Sequence, residues 1–233
     1  MSAPVLSFAD VTLDLPAEGR VLEGLSFTLA AGEALIVQGP AGSGKSVALA
    51  LAVGLLAPTS GTVTVLGAVP ATLHPLALDG LRAQIGFSPQ YGALLSNLTL
   101  MDNVALPLRW HRGLSAVAGA AAVREAYGLL GAEPPPAVQA AAAPEIHRQL
   151  ARLAKAVILR PPLLILDEPG AGLDADQRED LWRLVWRVQQ DLGCAVLAAT
   201  SNPGLAQAFT DRTVPLAPRR RSTLRILRPD PLL

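Results

Sequence analysis

Cysteine is almost absent from this chain, where Cys194 stands alone among 233 residues. No internal disulfide can form, and the chain suits a reducing compartment. Cys194, at the start of an apolar run, reads as a small buried residue. Lysine is nearly as scarce, with only Lys45 and Lys155. The formal net charge is +0, so no general electrostatic attraction draws the chain to nucleic acid, and no nucleic-acid partner is expected. His74, His111 and His147 are scattered without the spacing of a zinc site. Long apolar runs are also missing. A membrane helix needs about 18 consecutive apolar residues, and the longest candidate, Val47 to Ala57, stops short of that. The N-terminus has no basic stretch followed by a long apolar one, so no signal peptide is expected. These absences together point to a cytoplasmic protein. Against them stands an apolar surplus, with 51% hydrophobic residues and a mean hydropathy of +0.38, which suggests that the chain docks on something.

What is present is most specific at Gly39-Pro40-Ala41-Gly42-Ser43-Gly44-Lys45-Ser46, which matches G-x-x-x-x-G-K-[ST] at every specified position. Ala34-Leu35-Ile36-Val37 before it reads as a buried strand, and Val47 to Leu51 after it as a helix. Gly39, Gly42 and Gly44 let the backbone turn tightly and bring its N–H groups to an anion. The helix that follows directs its positive dipole end at the same place. In such loops the Lys45 ammonium reaches the β- and γ-phosphates of a nucleotide and the Ser46 hydroxyl ligates Mg²⁺. A plain glycine turn is the alternative, and the full motif between strand and helix argues against it.

Around this loop the chain alternates strand and helix signals. Val5 to Phe8, Leu25 to Leu29 and Thr62 to Leu66 read as strands of an antiparallel sheet. Residues 91–160 read mostly as helix, and the Ala- and Pro-rich tract Ala132 to Pro144 as a surface connector. Leu163 to Leu166 and Cys194 to Ala199 are further buried strands. Apolar strands between helices predict a parallel sheet covered on both faces. Residues 1–217 are expected to form the domain, with a helical part at about 91–160. Residues 218–233 form a basic tail carrying Arg219, Arg220, Arg221, Arg225 and Arg228.

Asp167-Glu168-Pro169 puts two carboxylates at the carboxyl end of an apolar strand, where ligands of such sheets bind. Asp167 there can hold Mg²⁺ together with Ser46, and Glu168 can polarise an attacking water as general base. The alternative is a plain helix start at Asp-Glu-Pro.

With these residues the chain resembles the nucleotide-binding subunit of an ATP-binding cassette (ABC) transporter, from about Val5 to Arg212. The resemblance implies a P-loop α/β fold with a mostly parallel core sheet, an antiparallel β subdomain and a helical subdomain. It implies ATP and Mg²⁺ as ligands, a second cassette (another copy or a relative) and an integral-membrane permease. Gln90, in Ile85-Gly86-Phe87-Ser88-Pro89-Gln90, matches the glutamine that contacts Mg²⁺ and the attacking water. Leu173-Asp174 matches the loop that crosses the dimer interface. Gly92-Ala93-Leu94-Leu95, Leu98-Thr99 and Asp102 to Leu108 resemble the ATPases of Mla-type, MCE-associated phospholipid transporters. That likeness implies an inner-membrane permease, a lipid-binding MCE partner and a peripheral position on the membrane's inner face. Tyr91, Leu94 and Leu95 are candidates for a groove that receives a permease helix, or are ordinary core.

Three family features are replaced. Counting back from Asp167, the signature position falls on Ala143-Pro144-Glu145-Ile146-His147, where the family has Leu-Ser-Gly-Gly-Gln. Pro144 has neither hydroxyl nor N–H, and Glu145 sets a like charge against phosphate. Thr200-Ser201-Asn202 puts Ser201 where the family has its switch histidine. Only Leu15 stands where an aromatic ring usually stacks on adenine. The resemblance therefore implies firm ATP·Mg binding and weakened hydrolysis.

Overall fold

The computed structural model describes residues 3–135 and 137–218. Pro136 and the basic residues from Arg219 onward lie outside that description.

Two sheets form the body. In the smaller, β1 (Leu6–Leu15) pairs antiparallel with β2 (Gly19–Leu29) on one side and β4 (Ser60–Val65) on the other. The larger sheet is wholly parallel. Its order is β5 (Ile85–Ser88), β6 (Leu163–Asp167), β7 (Ala195–Thr200), β3 (Ala34–Gln38) and β8 (Thr213–Pro215).

Strand periodicity divides the core in two. Leu163, Ile165, Ala195, Leu197, Leu35 and Val37 face a core shared with α1 (Lys45–Ala52) and the antiparallel sheet. The alternate residues Leu164, Leu166, Val196, Ala198 and Ile36 face the other core. That core is shared with α3 (Leu100–Arg112), α4 (Ala116–Leu129), α5 (Glu145–Val157) and α6 (Ala175–Leu192). Side chains of successive strand residues point to opposite faces. A strand buried on both faces is therefore apolar without alternation, as β6 is at its first four positions; the fifth, Asp167, is buried as well.

The remaining helices are short. α2 (Pro75–Arg82) follows β4, and α7 (Pro203–Phe209) joins β7 to β8. The Arg82 guanidinium reaches from α2 to the carbonyls of Val53 and Gly54 and so ties off the C-terminal end of α1. Cys194 is buried, and burial pushes its thiol up to about 11.

The tract 132–144 is the expected connector, with Glu133, Ala137, Gln139, Ala141 and Ala142 exposed, but part of it turns inward. Gln139 bridges to Thr99, the Ala140 N–H donates to Leu98 O, and Ala140 and Ala143 are buried. Their methyl groups are small enough to let this backbone lie against the helical core, a role that low complexity disguised. Among the described residues, no helix is long and apolar enough to cross a membrane.

Candidate functional site

The phosphate loop leaves β3 and enters α1. Gly42 and Gly44 carry φ of 79° and 99°, a left-handed region that L side chains rarely adopt. At Gly39 the limit is space. A Cβ there would stand 2.6 Å from both the Leu216 carbonyl and the Ser43 Oγ. Leu216 is anchored by its own N–H to Gln38 O, so this backbone cannot withdraw cheaply. Gly39→Ala is expected to distort the loop and weaken ATP binding at least about tenfold, as read by equilibrium binding of a fluorescent ATP analogue. Unchanged affinity would show that the loop tolerates the displacement.

The loop opens on a cavity of about 470 Å³. Ala41, Gly42, Gly44, Lys45 and Ser46 form one wall, with Gln90, Glu168, Arg178 and Ser201 around it. Gly39, Pro40, Ser43 and Asp167 are not among the residues that line the cavity. Lys45 is buried, its Nζ donating to Gly39 O at 2.8 Å and Pro40 O at 3.1 Å and standing 3.2 Å from Glu168 Oε1. The other carboxylate oxygen of Glu168 accepts the Ser201 N–H at 3.1 Å. Glu168 itself sits at φ 47°. This strained left-handed conformation of a non-glycine residue is typical of functional sites. It is held from both sides, by the Glu168 N–H to Ala199 O and the Ala171 N–H to Glu168 O.

Asp167 ends β6 and is buried. Burial pushes its carboxyl above the usual range, and the neighbouring Glu168 charge adds to this; the Ser46 hydroxyl, Lys45 and the Gln90 backbone pull it back. Its Oδ1 is buried with no hydrogen-bond partner. An orphaned carboxylate oxygen grouped with a serine hydroxyl is a hard-oxygen donor set, and it fits Mg²⁺. Ser46, Gln90 and Asp167 are the residues that would hold the ion.

The structure thus brings Lys45, Ser46, Gln90, Asp167 and Glu168 to one place, although Lys45 and Glu168 are 123 positions apart in the chain. Among the described residues, no cluster of His, Cys, Asp and Glu forms a separate metal site. Tyr91 and Leu95 are exposed, whereas Leu94 packs on the helical core.

α5 begins at Pro144, which makes no side-chain cap. Glu145 occupies its first turn. One Glu145 carboxylate oxygen, Oε2, accepts from Arg148 Nε at 2.7 Å, and the other, Oε1, from Arg152 at 3.0 Å and Gln149 at 3.1 Å. Gln149 also donates to Ala171 O at 2.8 Å.

Sequence reasoning missed three supporting residues. Buried Asn103 gathers the 95–99 turn by bonding Leu95 N–H and the carbonyls of Leu95, Leu98 and Thr99. Lys155 donates to Ala93 O at 2.7 Å, and burial lowers its pKa. Arg178 lines the cavity from α6. Asn103 and Arg178 bond backbone groups four to eight positions away, and Lys155 reaches across 62 positions, so no side-chain pattern in the sequence marks them.

Residues 22–171 match the family described as ABC transporter. The chain belongs to this family. It is 37% identical over 201 residues to the lipoprotein-releasing system ATP-binding protein LolD of Bordetella pertussis, covering 84% of this chain and 85% of the relative. It is 32% identical over 192 residues to the probable ribonucleotide transport ATP-binding protein mkl of Mycobacterium tuberculosis, covering 82% of this chain but 54% of that one. Among solved structures, it is similar to a dimeric post-hydrolysis state of the ATP-binding cassette MJ0796 bound to ADP and Pi. That likeness has a TM-score of 0.82 and 26% identity, and covers 94% of this chain and 99% of the other. The chain is accordingly the ATP-binding subunit of an ABC transporter, a class of cassette that pairs with a second cassette and with membrane permease components.

Proposed function

We propose that this cassette binds ATP·Mg and hydrolyses it weakly to drive or gate a lipid-transport complex, as a peripheral subunit on the inner face of the membrane. The observation that carries the reading is the position of Glu168, pinned between Lys45 and the Ser201 N–H on the wall of the phosphate-loop cavity. In the reaction the oxygen of a water bonds to the γ-phosphorus. The bond from that phosphorus to the bridging oxygen breaks, and ADP leaves with the electron pair. Glu168 takes the proton of the water. Gln90, which lines the same cavity, orients that water; Ser46, Gln90 and Asp167 would hold Mg²⁺, which when bound would supply positive charge to the phosphates.

Weakness is expected from two replacements. Ser201 offers only an uncharged hydroxyl where a charged imidazole would act, its backbone N–H being given to Glu168. Pro144-Glu145-Ile146 offers neither a hydroxyl nor an open backbone to the ATP of the opposing cassette, and the Glu145 carboxylate is tied up by Arg148, Arg152 and Gln149. A lipid cargo, a permease and an MCE-type lipid-binding partner are supported by the Gly92 to Leu108 segment. Relatives named for lipoprotein release lean the same way.

The test is ATP hydrolysis by the complex assembled with its permease. Lys45→Ala should lower it by at least about 10²-fold, because a buried cation aimed at the phosphates is lost. Hydrolysis indifferent to Lys45 would place the chemistry in another subunit. A second reading, a nucleotide-responsive subunit that does not hydrolyse, is favoured by the Glu145 cage. It requires ATP binding with no turnover that depends on Glu168.

A further inference from the structure

Phosphoryl transfer spreads negative charge over three equatorial oxygens, and cations at the site lower its barrier. Four charged residues line the cavity, namely Glu18, Lys45, Glu168 and Arg178. Lys45 serves the phosphate loop. The end of β7, where Ser201 stands, offers no cation, and the Ser201 N–H is already given to Glu168.

We propose that Arg178 is the second cation of the phosphoryl site and takes the part of the missing imidazole from the start of α6. This rests on the hydrolytic reading given above. Arg178 sits in the first turns of α6, whose start is fixed by Asp174 accepting the Gln177 N–H at 2.8 Å. Its Nε donates to Gly170 O at 3.3 Å and one Nη2 hydrogen to Leu173 O at 2.7 Å. Those bonds hold the guanidinium against the loop that begins two residues after Glu168. Gly170 is glycine in part for this reason, because a Cβ there would meet Arg178 Cγ at 2.8 Å.

A guanidinium has five N–H donors. Two are spent on the loop, and the other three have no protein acceptor among the described residues. The ring nitrogens of a histidine would approach from β7. Arg178 approaches from α6, so the charge differs in origin and not in sign. Restoring a histidine at position 201 should therefore compensate for its loss.

The experiment uses the complex with permease and partner cassette, and compares ATP hydrolysis, ATP affinity and trapping of ADP–vanadate, which mimics the transferring phosphoryl group. Arg178→Gln is expected to lower turnover and trapping together, on the order of 10²-fold, with ATP affinity held within about threefold. Arg178→Lys should keep part of both. Arg178→Gln combined with Ser201→His should recover most of the loss. If Arg178→Gln lowers ATP affinity and thermal stability as much as trapping, and Ser201→His recovers nothing, Arg178 is only a clamp on the loop and the proposal falls. Wild-type turnover that survives Arg178→Gln overturns this proposal alone. A wild-type complex that neither turns over nor traps vanadate overturns the hydrolytic reading with it.

Discussion

Replacing Glu168 with Gln is expected to lower ATP turnover of the assembled transporter by about 10²- to 10⁴-fold, the range that a positioned general base contributes. The substitution is nearly isosteric, so its effect is chemical. The amide oxygen still accepts the Ser201 N–H, and the strained turn at φ 47° keeps its backbone partners. Two things change. The amide cannot take a proton from water. It also no longer attracts Lys45, whose ammonium stands 3.2 Å from Glu168 Oε1 while donating to the carbonyls of Gly39 and Pro40. ATP must draw Lys45 away from these partners, so Glu168→Gln should bind ATP at least as tightly as wild type. Steady-state hydrolysis and nucleotide binding on the same preparation separate the two effects. Turnover that survives the substitution would show that another group accepts the proton.

The second large effect runs the other way. Changing Pro144, Glu145 and Ile146 together to Ser, Gly and Gly is expected to raise hydrolysis about 10²-fold. Each transition-state donor to a phosphoryl or oxyanion is worth on the order of 10²–10³ in rate, and part of that should return. The new serine at the cap position of α5 would also accept one of its free N–H groups, a gain of about 1 kcal/mol. Loss of the Glu145 bridges offsets this weakly. They are partly exposed, with side-chain accessibilities of 25% for Glu145 and 31% and 15% for Arg148 and Arg152, and such pairs contribute about 0–1 kcal/mol. Ile146 packs on the helical core, and each glycine inside a helix costs about 1 kcal/mol relative to alanine, so melting temperature should fall modestly while the rate rises. If this chain pairs with an intact relative, the gain appears in the site formed by the relative's phosphate loop. If it pairs with itself, both sites gain. An unchanged rate with unchanged folding would show that the signature position does not limit turnover.

These expectations also mark how far the residues alone carried. The phosphate loop was legible because its chemistry is local: eight consecutive residues hold the turn, the cation and the hydroxyl. Asp167 and Glu168 were legible because β6 is apolar from Leu163 to Leu166 and then abruptly acidic. β5 and β8 were not. Each is very short, and each takes its identity from pairing with a distant strand, β5 with Leu163 to Leu166 and β8 with Ile36 to Gln38. The inward turn of Ala140 and Ala143 within the connector 132–144 was hidden for a related reason. Alanine is equally at home on a surface and against a helix, so only the neighbouring Leu98 and Thr99 decide where it lies. Arg178 and Asn103 stayed hidden because their partners are mainly backbone carbonyls, which no side-chain pattern records.

Gln149 has one more consequence. Its amide nitrogen bonds Glu145 and Ala171 at once, so a side chain of the helical arm grips the backbone three residues beyond Glu168. A tilt of α5 would pull that backbone, and a shift at Glu168 would push the arm. The chain thus carries a mechanical linkage inside one polypeptide, with a single amide as its pin. Movement of the arm and readiness for chemistry would then be set by the same stroke, whichever end receives the first push.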